Sequence, residues 1–487
     1  MHRCLQIREI LLEVLELVFA SKNPYPDLVG LARTCRSFHG PALELLWREQ
    51  PSLLRLVMCF PREILDFSEP RGCGYDSGTV KFTKTPSVQD WERPLVYAKH
   101  IKRVVNSVPA YMLRYELHAS VLQTLLESCP STPLLPNLRC LNYVVITGNS
   151  NAFVASLFTL FSPNLLQSLT FRCYYRLDSH DSHTFLTHLP NRCPQIENLS
   201  FSLLARPSAD IIEYITRFAS LRHLKSLDFA VAKHSESDCY IRPSSINPPN
   251  SFPSLVNLTV DCPYAVVVLH ILKAIHSTKL RDIKLRCPCE SDTANLREVF
   301  AIVASHPAWE ESMRSILLTT GACSITVDDV RRLLTFNHLR RVDLDSIGLV
   351  PDDHLLDEMA KAWPMLEHLS ITSSRSRTPS KATLNGLVPF SKYCPHIATL
   401  RLQLDASRVP VPANTTDASR DAPHEGERRG LLMYVEAPSE IRDPTGVASF
   451  LLNLFPRIAL SIPAHQADSL QEFLWRRVVT IMVETRR

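Results

Sequence analysis

The feature that most constrains this chain is an apolar triplet with the spacing L-x-x-L-x-L, which recurs ten times at a mean step of about 29 residues. The residue between the second and third apolar positions is polar in nine of the ten copies, and Leu317 is the exception. Alternation with period 2 predicts a short strand that has one buried face and one solvated face. The triplets are Leu138-Leu141-Tyr143, Leu166-Leu169-Phe171, Ile196-Leu199-Phe201, Leu224-Leu227-Phe229, Leu255-Leu258-Val260, Leu280-Ile283-Leu285, Met313-Ile316-Leu318, Leu339-Val342-Leu344, Leu366-Leu369-Ile371 and Ile397-Leu400-Leu402.

Segments between these strands have apolar residues at helical spacing, in particular residues 211–218, 266–275, 296–303 and 355–363. One strand and one helix cannot bury their apolar sides alone, so neighbouring repeats must stack and share a continuous core. The sequence therefore predicts an α/β fold, a solenoid of short parallel strands plus helices.

This pattern resembles the leucine-rich repeats of the long, cysteine-containing type. One departure is that Cys173, Cys262 and Cys287 follow the last apolar strand position by two residues, where the usual repeat has Asn or Cys after three. We therefore expect the turns that leave these strands to differ from the regular ones.

The N-terminal fifty residues have a different pattern. Apolar residues recur at helical spacing from 7 to 18, from 28 to 35 and from 42 to 47, with Pro24-Tyr25-Pro26 and Gly40-Pro41 between them. Proline and glycine at these points predict breaks, and Asp27 is placed to cap the second segment. The sequence predicts three short helices.

Several runs in the chain resemble a known family. I-R-E-I-L at 7–11, D-L-V-G-L-A-R-T-C-R-S-F-H at 27–39 and P-A-L-E-L-L-W-R-E at 41–49 resemble an F-box. Together with D-W-E-R-P-L-V-Y-A at 90–98 and L-L-D-E-M-A-K-A-W-P at 355–364, they are similar to the F-box/leucine-rich-repeat proteins abundant in mushroom-forming (basidiomycete) fungi. The resemblance implies that the three helices dock onto the Skp-type adaptor of a cullin-based ubiquitin ligase.

Residues that match the adaptor-contacting positions of the family are Ile7, Ile10, Leu28, Leu31, Cys35, Leu46 and Trp47. The family's usual proline before the first glutamate is Arg8 here, and proline would preorganise the first helical turn. The alternative is that these apolar residues only close the small bundle onto the first repeat.

The predicted organisation has five parts. They are the F-box at 1–50, a linker, insertion and N-terminal cap at 51–135, about ten leucine-rich repeats at 136–404, a disordered loop at 405–430 and a C-terminal cap at 431–487.

Polar residues on the solvent face of the strands form the predicted contact surface for a target protein. Lys and Arg total 53 against 49 Asp and Glu, a net charge of +4, which gives no electrostatic signature of nucleic acid or membrane binding. Charges of both signs on this face favour a protein partner. The predicted target-binding residues are Arg172, Asp228, Asp261, Lys284, Arg286, Asp343, Asp345 and Arg401.

Motifs for catalysis or cofactor binding are lacking in the sequence. His180, His183 and His188 lie near Cys173 and Cys193, but no C-x-x-C pair accompanies them, so a polar loop is favoured over a zinc site. We expect no catalytic residues, no cofactor and no metal, and hence a non-catalytic subunit.

Glutamates at 9, 13 and 16 interrupt the apolar N-terminal segment, so a signal peptide is not expected. The longest uncharged stretch, 140–171, is diluted by polar residues, and no membrane span is expected. These features predict a cytoplasmic and/or nuclear protein with reduced thiols.

Two functions fit these observations. The first is a substrate receptor that recruits a target protein to a Skp-cullin-F-box ubiquitin ligase. The second is a repeat scaffold for protein–protein interaction that joins no ligase. Adaptor binding would distinguish them.

Overall fold

The structure is a computed structural model that describes residues 7–21, 24–69, 78–105, 115–145, 158–176, 180–204, 209–231, 251–288, 293–321, 325–372, 379–410, 430–462 and 470–486. The described residues up to Leu227 form one compact unit, and those from Asp228 onward form a second. The predicted disordered loop (405–430) lies mostly outside the described residues.

The first unit contains a helical N-terminal part followed by strands and helices. Its helices are α1 (Arg8–Phe19), α2 (Pro24–Thr34), α3 (Arg36–Arg48), α4 (Leu54–Val57), α5 (Glu92–Ala98), α6 (Ala119–Ser128), α7 (His180–Arg192) and α8 (Ala209–Phe218). Its strands are β1 (Glu49–Gln50), β2 (Leu65–Ser68), β3 (Gly78–Phe82), β4 (Arg103–Val104), β5 (Tyr115–Leu117), β6 (Cys140–Val145), β7 (Ser168–Arg176) and β8 (Asn198–Leu204).

Strands of this unit form two sheets. One is a parallel ladder in the order β1-β4-β6-β7-β8, and the other is a small sheet in the order β2-β3-β5. The ladder thus begins at residue 49, well before residue 136, where the sequence predicted the first repeat. The cause is that β1 and β4 are two-residue strands, too short for a periodic signal.

The three predicted N-terminal helices are present as α1, α2 and α3. Two of the predicted boundaries are wrong. The helix α2 begins at Pro24 instead of after Asp27, because proline is well tolerated in a first helical turn. The helix α3 continues through Pro41, where a break was expected, and the adjacent Ala42 is buried in the bundle core.

The second unit continues the alternation of strand and helix. Its strands are β9 (Ser226–Val231, which begins two residues before the unit does), β10 (Asn257–Asp261), β11 (Asp282–Arg286), β12 (Ser315–Thr319), β13 (Arg341–Asp345), β14 (His368–Thr372), β15 (Thr399–Leu402), β16 (Asp405–Ala406), β17 (Leu431–Val435), β18 (Glu440–Ile441) and β19 (Ile458–Ser461). Its helices are α9 (Ala265–Ala274), α10 (Thr293–Ser305), α11 (Val327–Arg331), α12 (Asp353–Ala362), α13 (Val388–Tyr393), α14 (Pro444–Leu454) and α15 (Leu470–Thr485).

Parallel pairing in register runs from β10 through β11, β12, β13, β14, β15 and β17 to β19. The middle apolar residue of each of the ten triplets lies in a strand and is buried, which confirms the predicted strand positions. Strand β19 lies where Ile458, Leu460 and Ile462 predict a last, degenerate strand, whereas β17, in the same predicted cap at 431–487, was not expected.

The predicted helical segments are also confirmed. Helices α8, α10 and α12 bury the apolar residues on which the predictions were based, including Ile215, Val299 and Met359. The sequence also predicts a closing helix at the C-terminal end, and α15 confirms it. Of its predicted core residues, Val478 is buried, Leu474 and Ile481 are partly buried, and Leu470 and Phe473 are exposed.

Short parallel strands that alternate with helices and bury one side chain in two make each unit a stack of leucine-rich repeats. Cys262 and Cys287 directly follow β10 and β11 and are buried, so these turns begin with an enclosed thiol. No helix within the described residues is long and apolar enough to cross a membrane.

Candidate interaction surfaces

The first candidate surface is an apolar stripe on α1. Ile7, Ile10, Val14 and Leu17 recur every three to four residues and therefore lie on one face of the helix. Their exposures are 49%, 40%, 40% and 74%, although each is apolar. We call these four residues the α1 stripe.

The opposite side of α1 explains why the stripe faces solvent. Leu11 and Leu15 pack into the bundle core together with Leu28 of α2 and Ala42 and Leu45 of α3. This core uses only one side of α1, because α2 and α3 are its neighbours on that side. The α1 stripe is consequently left without a partner within the described part of the bundle.

The structure separates the seven predicted adaptor-binding residues into exposed and buried groups. Ile7 and Ile10 belong to the α1 stripe. Leu28 is fully buried in the bundle core, so its side chain is not accessible to a partner in this structure. The other four, Leu31, Cys35, Leu46 and Trp47, are partly buried.

Sequence reasoning missed Val14 and Leu17 as surface residues. Both continue the helical spacing that starts at Ile10, so the signal was present. This spacing could not identify surface residues, because it does not show which apolar face of a helix turns inward.

The bundle is joined directly to the ladder of the first unit. Helix α3 leads into β1, and the Lys102 backbone N–H donates to the carbonyl of Arg48 over 2.9 Å. The Lys102 ammonium also pairs with the Glu44 carboxylate, with 2.9 Å between Nζ and Oε1. This hydrogen bond from Lys102 lowers the pKa of Glu44.

Arg48 connects helices within the bundle. Its guanidinium forms a two-point ion pair with Glu16 of α1, with 2.9 Å between Nη2 and Oε2. It also lies over the Phe19 ring, 4.9 Å from the centroid. The hydrogen bond to Glu16 raises the pKa of Arg48, so this contact holds α1 against α3 as a charged pair.

The second candidate surface is the solvent face of the strands. All eight predicted target-binding residues occupy strand positions whose side chains are not buried, Arg172 on β7 of the first unit and the other seven in the second unit. The solvent positions of neighbouring strands lie side by side because pairing is in register. One such row is Thr259, Lys284, Leu317, Asp343, Ser370, Arg401 and Tyr434, of which only Ser370 is buried.

Charged side chains on this face interact with their neighbours. Arg401 pairs with Glu436, 2.7 Å between Nε and Oε1, and lies over the Tyr434 ring at 5.1 Å. Arg286 lies 3.5 Å from Asp261. Aromatic and charged groups packed this way give a surface with few free side-chain torsions, which lowers the entropy lost on binding.

Three further residues of this face were not predicted: Asp282, Arg341 and His368. Each occupies the solvent position just before the middle apolar residue of its triplet, so the same period-2 argument could have found it. Burial and the nearby positive charge of Arg341 lower the pKa of His368, so the imidazole is neutral at pH 7. Burial also raises the pKa of Asp282.

Of the five histidine and cysteine residues considered for zinc, only His188 and Cys193 have described side chains. Within the described ranges, no group of three or more His, Cys, Asp or Glu side chains could hold a metal ion. The side chains of Cys173, His180 and His183 lie outside the described residues. Cys193 is buried, which raises the pKa of its thiol to about 12.

Comparisons with known proteins give little beyond this geometry. No family model and no curated protein matches the chain. Among solved structures, a leucine-rich-repeat protein of Leptospira interrogans is similar at 12% identity and a TM-score of 0.34, over 76% of this chain and 82% of that chain. At that TM-score the similarity carries no argument, and the repeat assignment rests on strand register and burial.

Proposed function

We propose that the protein is an F-box substrate receptor, in which the N-terminal bundle binds the Skp-type adaptor of a ubiquitin ligase and the repeats hold a target protein. The observation that carries the proposal is the α1 stripe. Four apolar side chains on one helix face gain free energy when a partner covers them, about 1 kcal/mol each for half-exposed side chains. The run at 7–11 that resembles an F-box contains two of them.

The attachment of the bundle also supports this function. Helix α3 continues into β1, and Lys102 ties the bundle to the ladder of the same unit, so a partner on α1 is held at a fixed position relative to those strands. A receptor acts by proximity: it raises the concentration of a target near the transfer machinery and needs no reacting group of its own. The proposed role is therefore non-catalytic.

A second candidate function is a scaffold that joins no ligase. The start of α1 favours it: Arg8 replaces the family's proline, and the N-cap residue Ile7 has no side chain that could accept a hydrogen bond from the first turn. A less ordered first turn would weaken docking at that end of the stripe.

The experiment is binding of the full chain to the Skp-type adaptor, measured by calorimetry. The test variant is Ile10→Asp with Leu17→Asp, which places charge on the α1 stripe without touching the bundle core. The matched control is Val88→Asp, because Val88 is as exposed as Leu17, 73% against 74%, and lies outside the bundle.

The receptor proposal is supported if the native chain and the control bind the adaptor and the stripe variant binds it with at least tenfold lower affinity. Absence of binding by the native chain overturns it and leaves the scaffold. Equal binding by all three proteins would show that the adaptor uses another surface, which also contradicts the proposed role of the α1 stripe.

A further inference from the structure

Three adjacent strands of the second unit carry an ordered charge pattern on their solvent face. The outer strands β11 and β13 present charged residues at every solvent position, whereas the strand between them, β12, presents Ser315, Leu317 and Thr319. An uncharged row on β12 thus lies between two charged rows, and we call this three-row arrangement the channel and its two charged rows the walls. Its walls are about 10 Å apart at the backbone, twice the strand spacing.

The two walls have opposite charges at each level of the channel. The register places Lys284 and Asp343 on either side of Leu317, and Asp282 and Arg341 on either side of Ser315. At the third level, Arg286 stands across from Asp345 with Thr319 between them. The charge pattern therefore changes sign across β12 at every level.

The middle level differs from the other two in its central residue. Lys284 is exposed and Asp343 is partly exposed. Leu317 between them is the one apolar residue among the ten copies at a position that is otherwise polar. A partly exposed leucine flanked by a cation and an anion is complementary to a segment with an apolar centre and charged residues on both sides.

We infer that this channel, made by Lys284, Leu317 and Asp343, binds an extended segment of a partner protein in which an acidic and a basic residue flank an apolar one. The acidic side chain pairs with Lys284, the basic one with Asp343, and the apolar one covers Leu317. Alternate side chains of an extended chain face the same way, so the acidic, apolar and basic residues occupy every second position and the two charged residues are four positions apart. This inference deepens the target-binding half of the proposed function and names the chemistry of the target.

The test selects peptides from a random displayed library on the immobilised full chain, with no adaptor present, so its outcome is independent of ligase assembly. The expected result is enrichment of peptides with an acidic and a basic residue four positions apart and an apolar residue midway between them. Enrichment of peptides without this pairing, or no enrichment at all, overturns the inference.

A selected peptide then gives a charge-exchange test. Lys284→Glu should weaken binding of this peptide at least tenfold. The double variant Lys284→Glu, Asp343→Lys should also bind this peptide weakly. It should recover binding to a peptide in which the acidic and basic residues are exchanged. Lys279→Glu, an exposed lysine outside the strands, is the matched control and should bind within twofold of the native chain. Unchanged affinity after Lys284→Glu overturns the inference. Equal melting temperatures of the variants exclude unfolding as the cause.

Discussion

Trp47 of α3 stacks on Tyr97 of α5, with the ring centroids 4.4 Å apart and the ring planes inclined by 15°. The contact joins the N-terminal bundle to the helix that precedes β4. Trp47 is one of the residues that the family resemblance assigns to adaptor binding. The structure gives it an internal partner, so its loss would act on stability whatever its role in binding.

We expect Trp47→Ala and Tyr97→Ala each to lower the free energy of unfolding by about 2 kcal/mol, since each removes a partly buried aromatic ring. Stacked aromatic pairs contribute about 1 kcal/mol beyond buried area, so the double variant should lose about 1 kcal/mol less than the sum of the single losses. Urea denaturation of the full chain measures all three. Strictly additive losses would show that the rings are not coupled.

Leu28 and Leu17 offer a matched comparison of two leucines in one bundle. Leu28 is fully buried, and Leu28→Ala should lower the free energy of unfolding by about 3 kcal/mol through lost burial and a cavity. Leu17 is 74% exposed, and Leu17→Ala should change the free energy of unfolding by less than about 0.5 kcal/mol. Thermal denaturation followed by circular dichroism distinguishes them, and similar effects of the two substitutions would contradict the inward orientation of Leu28.

Two glycines should respond to alanine with opposite signs. Gly321 has a φ of +53°, and a Cβ there would lie 2.8 Å from the Pro288 Cα, so Gly321→Ala should destabilise the protein by about 2 kcal/mol. Gly40 lies in α3 with no atom within 4 Å of a Cβ, so Gly40→Ala should stabilise by about 0.5–1 kcal/mol. Melting temperatures should move in opposite directions, and a rise for Gly321→Ala would refute the strained conformation.

The Glu44–Lys102 pair gives a pH dependence with a defined sign. Its hydrogen bond lowers the pKa of Glu44 below the ordinary 4.5, so the stabilisation is present above pH 4.5 and is lost as the pH falls through the lowered value. The pair is partly exposed, so we expect Glu44→Gln to lose no more than about 1 kcal/mol at pH 7. Denaturation at pH 7 and pH 3 tests this. The difference in unfolding free energy between native and variant should be smaller at pH 3 than at pH 7, and a difference that grows on acidification would contradict the sign.

Strand positions were predictable because each repeat must hide the same side of a short strand. Leu258, Ile283 and Ile316 are spaced irregularly in the sequence but fall in register in the ladder. Helices and loops between strands absorb the differences in length, so the period-2 signal survives variable spacing. Strand β17 was missed because Leu431–Val435 lacks the spacing of the triplet.

The C-terminal helix shows where the sequence was ambiguous. Leu470 and Phe473 fit an apolar face as well as Trp475 and Val478 do, yet only the second pair is buried. The Trp475 indole N–H donates to the Ser439 carbonyl over 3.1 Å, a contact between segments more than thirty residues apart. Helical spacing contains no information about such a partner.

The sequence by itself determined the repeat architecture and the ten strands that carry the triplet, because these follow from local periodicity and from the need to bury one apolar side. Only the tertiary structure decided which apolar face of α1 turns inward. Leu11 and Leu15 are buried while Ile10, Val14 and Leu17 remain exposed, because α2 and α3 cover one side of a helix that is apolar on more than one. The α1 stripe is the apolar face of α1 that α2 and α3 do not cover.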